Sequence, residues 1–204
     1  MSMKWTARGM TATLTVVFMT QPGFAAAHAR HPRAAKPVAT ARAAADAGAA
    51  VRLKFERIEK RGEEVSAAVR LKFEPRVAAL AEQVDLEGDA NAAGVAERLA
   101  NEFGMRQAAL ASEREAWAGS WGDVMIAHML RANVRFAITP AQVFGLHKGG
   151  MGWTMVAGGL GLAVGPFVRA VESESRVAIG EVQPDGKLPA IGPAVPGNTS
   201  INAD

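Results

Sequence analysis

The chain contains no cysteine. Disulfides, thiol catalysis, thiolate metal centres and a lipid-modified N-terminal cysteine are therefore excluded. Recognisable catalytic signatures are missing as well. Ser112, Ser120, Ser173 and Ser175 have no G-x-S-x-G or S-x-x-K context, and the glycine cluster "GGMG" lacks the lysine of a phosphate-binding loop. No H-x-x-x-H pair supports a metal site. The chain reads as non-enzymatic, with no cofactor and no metal. Long apolar runs are also scarce near the start: "MTATLTVVFM" (Met10–Met19) covers ten residues, against roughly 20 for a bilayer crossing.

That short run is the middle of a three-part leader. Lys4 and Arg8 precede it, Pro22 and Gly23 follow it, and "AAAHA" (25–29) offers small residues for cleavage after Ala27 or Ala29. This is the layout of a secretory signal peptide over 1–29, which implies a periplasmic or extracellular location. A mature chain of about 175 residues suits a single domain with tails. It relies on its apolar core, and the 49% hydrophobic content is enough to supply one. From residue 30 onward the charge nearly balances, at 21 Lys/Arg against 20 Asp/Glu, but it is segregated. Residues 30–77 carry 12 basic and 6 acidic side chains, and residues 78–204 carry 9 and 14. A basic front on an acidic body suggests contact with an anionic envelope surface or a protein partner.

Residues 30–48 are Ala-rich with Pro32 and Pro37, a linker that can turn helical after Thr40. An internal repeat follows: "AAVRLKFE" occurs at 49–56 and again at 67–74. Val, Leu and Phe alternate with Arg, Lys and Glu in each copy. This period of two favours paired strands, with Gly62 in the turn and Pro75 ending the second strand. The copies are 18 residues apart, five helical turns, and Val65, Val69, Phe73 and Val77 are four apart, so a helix also fits. The hairpin over 49–75 is the favoured reading because Pro75 would break a continuous helix. From 76 to 177 the spacing is helical, with a loop at 85–91, a C-cap at Gly104, and Thr139-Pro140 opening a further helix. Residues 178–204, rich in Pro and Gly, read as a disordered tail. The expected fold class is α+β, mostly α: a β-hairpin, then short helical hairpins.

A weaker repeat lies within the helical part. "GDVMIAHML" (122–130) and "GWTMVAGGL" (152–160) align at an offset of 30, each after a glycine turn and each with a tryptophan, Trp121 or Trp153, near its start. Two tandem helix-turn-helix hairpins are expected. Such units can read DNA, but the would-be reading helix from Val164 carries Arg169 against Glu172 and Glu174. A reading helix needs cationic and amide side chains toward the bases and phosphates, so nucleic acid is not the expected partner. The twenty uncharged residues from Gly149 to Val168 raise membrane insertion as an alternative. Seven glycines and Pro166 favour a buried helix instead.

His31 falls in the linker, whereas His128, His147 and Asp123 would form a metal site only if they converged. "DLEGDANAAGVAE" begins like a calcium loop but has Ala93 and Ala100 where oxygen ligands belong. Trp117, Trp121 and Trp153 suit a binding platform or a core. Candidate partner contacts are Arg52, Lys54, Arg70 and Lys72 on the hairpin, together with exposed parts of Trp121 and Trp153.

At "SWGDVMIAHML" followed by "LHKGGMGWTMVAGGLGL" the chain resembles a group of small exported bacterial proteins without assigned activity, over residues 117–177. That group has a Gly-Met-Gly-Trp turn between helices. It commonly has Gly and Gln after the tryptophan, where this chain has Thr154 and Met155. The resemblance implies export and a helical C-terminal half, and it implies no catalytic residue.

Overall fold

A computed structural model describes residues 37–194, with side chains from residue 48 onward. The signal-peptide reading of 1–29, the start of the linker and residues 195–204 lie outside the described residues. Among the described residues seven helices follow one another: α1 (Pro37–Glu63), α2 (Ala67–Phe103), α3 (Gln107–Trp117), α4 (Trp121–Ala132), α5 (Pro140–Lys148), α6 (Trp153–Gly159) and α7 (Val164–Ala178). No strand occurs among the described residues. A single bridge, Leu162 to Pro193, is the nearest thing to a sheet.

The β-hairpin over 49–75, and with it the α+β class, is thus overturned. Both copies of "AAVRLKFE" are helical, one in α1 and one at the start of α2. The turn between them is short: Ser66 caps α2 by accepting from the Val69 amide at 3.3 Å. Pro75 does not stop α2. An interior proline removes one amide and clashes with the carbonyl four residues back, at a cost of about 3 kcal/mol. Here that carbonyl belongs to Leu71, a residue 79% exposed on the outer side of α2. Packing along the far side of α2 outweighs the local penalty. Period two misled because Phe55 and Phe73 are half-buried while Leu53 and Leu71 face solvent.

The loop expected at 85–91 is only a kink. Asn91 alone leaves helical geometry (φ −149°, ψ 64°), and its side-chain oxygen accepts from the Gly94 amide at 3.0 Å, which restarts the helix. Other boundaries lie where the sequence placed them. Gly104 ends α2 in the left-handed region (φ 64°). Thr139 and Gln142 form a capping box around Pro140 at the start of α5.

α2 is the spine. α7 and α4 pack along it, α3 and α6 contact it, and α1 swings away to lie on α6. Val77, Val84, Val95 and Leu99 of α2 join Val124, Ile126, Leu130, Val156, Phe167 and Val171 in one buried core. The glycines are where backbones meet. A Cβ on Gly159 would lie 2.4 Å from the Ile58 carbonyl oxygen of α1, and one on Gly122 would lie 2.7 Å from Ala81 of α2. Residues 181–194, expected to lack fixed structure, run as a strap over the bundle. The Ile191 amide donates to the Asn133 side chain at 2.6 Å, and the Ala194 amide to the Gly161 carbonyl at 2.9 Å. Ile191 is 5% exposed.

Candidate functional site

Two carboxylates on α2 organise the tandem units. Glu74 receives the Trp153 amide at 2.6 Å and the Thr154 amide at 2.9 Å, and the Thr154 hydroxyl also donates to it. These amides are the unpaired donors at the start of α6, where the helix dipole favours an anion. Gly152 permits the approach, since any Cβ there would lie 2.7 Å from the Glu74 carboxyl carbon. Three turns further along α2, Asp85 receives the Gly122 amide at 2.8 Å, at the start of α4. Burial raises the Asp85 pKa above the usual aspartate value, against the opposing pull of that hydrogen bond. Each tryptophan-led helix is therefore fastened to the same spine by one acidic side chain. The resemblance between 122–130 and 152–160 thus has a matching three-dimensional arrangement.

The tryptophans themselves are core. Trp121 is 4% and Trp153 3% exposed, so neither offers a partner contact as expected from the sequence. Trp121 packs against Gly88, with the Arg114 guanidinium 5.1 Å above its ring. Of the basic candidates, Arg52 and Lys72 face solvent. Lys54 donates to the Ala137 carbonyl and sits 5.1 Å over the Phe136 ring. Arg70 is half-buried against the Met155 sulfur, 3.6 Å away, which leaves its Nε buried without a partner.

The histidines do not converge. His147 donates from Nδ1 to the Met151 carbonyl at 2.8 Å, assigning the ring proton there, and stacks on Trp153 at 4.1 Å. Its Nε2 is 3.8 Å from the Asp123 carboxylate, beyond hydrogen-bond distance. Asp123 itself caps α4 with Ser120. His128 lies elsewhere, 2.7 Å from Glu113 and stacked between Phe103 and Trp117. Burial lowers the His128 pKa below 6.5, with Glu113 pulling the other way. Among the described residues no group of three His, Asp or Glu side chains is placed to hold a metal ion. The calcium-like stretch from Asp85 to Glu97 lies within α2.

Sequence reasoning missed an acidic cluster under the strap. Glu102 accepts from the Asp185 and Gly186 amides at 3.0 and 3.3 Å. Glu174 of α7 is 1% exposed, and its Oε2 has no partner. Burial pushes its carboxyl up to about 8, and the Glu102 and Asp185 carboxylates add to the shift. The "VESES" segment showed the acid but not the depth at which it sits.

The twenty-residue stretch from Gly149 to Val168 is not one helix. It is divided between α6, a turn with Gly161 at φ 82°, and the first turns of α7. No described helix is long and apolar enough to cross a membrane. α7 buries Phe167, Val168 and Val171 and pairs Glu172 with Arg76 of α2 at 2.6 Å. It is held against the spine rather than presented outward.

In comparisons with protein-family models, curated proteins and solved structures, nothing matches this chain.

Proposed function

We propose that this is an exported, non-enzymatic interaction protein of the bacterial envelope, with the outer side of α1 as the surface that meets an anionic partner. The single observation that supports this is a group of exposed cations on α1. Arg52, Arg57 and Lys60 of α1 are exposed, and none is in an ion pair among the described residues. The polar groups inside the bundle have structural work instead: Glu74, Asp85 and Asp123 cap helices, and Glu102 holds the strap. Over residues 52–63, α1 carries five Lys/Arg against three Glu, and this positive excess favours association with negative charge, weakened by salt.

The test is the triple variant Arg52→Glu, Arg57→Glu, Lys60→Glu. Co-sedimentation of the wild type with envelope fractions at low salt should be lost in the variant while its circular dichroism is unchanged. Equal retention of both forms would end this reading. Export is checked separately by amino-terminal sequencing of the native protein, which should begin after Ala27 or Ala29.

A further inference from the structure

We propose that residues 183–188 of the strap form a proton-held flap, which stays down while Glu174 is neutral and lifts when Glu174 loses its proton. The segment is fixed at both ends. At one end the Glu181 and Val182 amides donate to the Arg176 carbonyl and close off α7. At the other, Asn133 donates to the Pro189 carbonyl at 3.1 Å and accepts from the Ile191 amide at 2.6 Å. Between these ends, among the described residues, the flap's hydrogen bonds to the bundle all go to one carboxylate. They run from the Asp185 and Gly186 amides to Glu102. Gln183, Asp185, Gly186 and Lys187 are exposed, and Pro184 and Leu188 are half-buried. A loop with one latch and little buried surface opens locally, leaving the core intact.

Glu174 lies within electrostatic reach of this latch. The charges that act on it are the carboxylates of Glu102 and of Asp185 in the flap itself. The cations of the surrounding helices have other partners. Arg98 of α2 donates to the Ala178 carbonyl and pairs with Glu87. Arg76 pairs with Glu172, and Arg176 with Glu181. On α4, Arg131 donates to the Val134 carbonyl and His128 meets Glu113. α6 carries no charged residue, and Arg169 of α7 and Lys187 of the flap are exposed. Among the described residues no three acidic or histidine side chains are placed to hold a metal ion, so the proton is the species this cluster takes up. An ionised Glu174 is a buried charge beside two like charges, which is costly until water reaches it. α7 is fixed in the core by Phe167, Val168 and Val171. The flap yields instead, and lifting it both hydrates Glu174 and carries Asp185 away.

With the flap down the carboxyl titrates at about 8, against an ordinary 4.5 in water. Closure is therefore fully favoured below 4.5 and gives way as the pH rises toward 8. The ratio of open to closed forms grows about tenfold per pH unit within this window, about 50-fold from pH 6 to pH 8, and levels off above it. The flap is independent of export and of what α1 meets. Deuterium exchange of the Asp185 and Gly186 amides in the whole protein is the test. The wild-type rate divided by that of Glu174→Gln at the same pH cancels the base catalysis of exchange itself. This quotient should rise about 50-fold from pH 6 to pH 8, while the Val171 amide of α7 exchanges far more slowly than both in either protein. Trypsin cleavage after Lys187, taken as the same quotient, should rise in parallel, since a protease cuts the transiently opened form. An exchange quotient that stays flat over this range overturns the proposal. So do flap amides that exchange no faster than Val171, because opening is then global.

Discussion

Glu174→Gln should stabilise the protein, and the gain should depend on pH. The carboxyl is 1% exposed, its Oε2 has no partner, and Glu102 and Asp185 lie near it. Its pKa rises from an ordinary 4.5 to about 8 in the folded chain. A raised acid contributes its stability below the unfolded value and loses it as the pH climbs toward the folded one. At pH 7 the unfolded chain has released this proton while the folded chain still holds it. At about 1.4 kcal/mol per pH unit between 4.5 and 7, folding carries a penalty of about 3 kcal/mol. Glutamine keeps the shape and cannot ionise, so it removes that penalty. Below pH 4.5 wild type and variant are both neutral at this position, and the difference should nearly vanish. For a chain of this size the effect corresponds to about 10 °C in thermal midpoint near pH 7, and to about 1 °C at pH 4. Thermal unfolding followed by far-UV circular dichroism at both pH values measures it. The same shift at both, or a lower midpoint for the variant at pH 7, would refute the reasoning.

Three further outcomes follow from named contacts. Glu74→Ala removes three hydrogen bonds to the start of α6 and should cost about 3 kcal/mol in urea unfolding, with a loosened near-UV signal from Trp153. Gly159→Ala forces a methyl against the Ile58 carbonyl and should cost about 1–3 kcal/mol, whereas Gly145→Ala, with open space around it in α5, should gain up to about 1 kcal/mol. In an NMR titration the His128 imidazole should take up its proton below pH 6.5, and Glu113→Gln should move that transition lower still. The fold gives up stability as pH falls through this range, because the unfolded chain binds the proton first.

Local chemistry was legible wherever a backbone group needed a particular partner. Gly104 and Thr139-Pro140 marked helix ends because left-handed geometry and unpaired amides favour few residue types. The tandem tryptophan units were legible as a spacing of 30. The paired strands were not real, since two half-buried helices in different surroundings can carry the same eight residues. Pro75 argued for a break only so long as the packing of α4 and α7 along α2 was out of view. Glu74, Asp85 and Glu174 gave no sequence signal as sites, because their partners come from helices 37 or more residues away or not at all. The strap over 181–194 was missed for a related reason. Proline and glycine remove periodicity, and what orders this segment is Asn133 and Glu102 elsewhere in the chain.

Between Glu74 and Asp85, α2 serves as a ruler. Eleven residues turn the helix through just over three revolutions and advance it about 16 Å, so both acids emerge in the same direction. An extra residue inserted there would rotate the second acid by about 100° and carry it clear of α4. Homologous chains are therefore free to vary the letters of this interval, but not its length, while insertions at the Asn91 bend would leave the two anchorages in step.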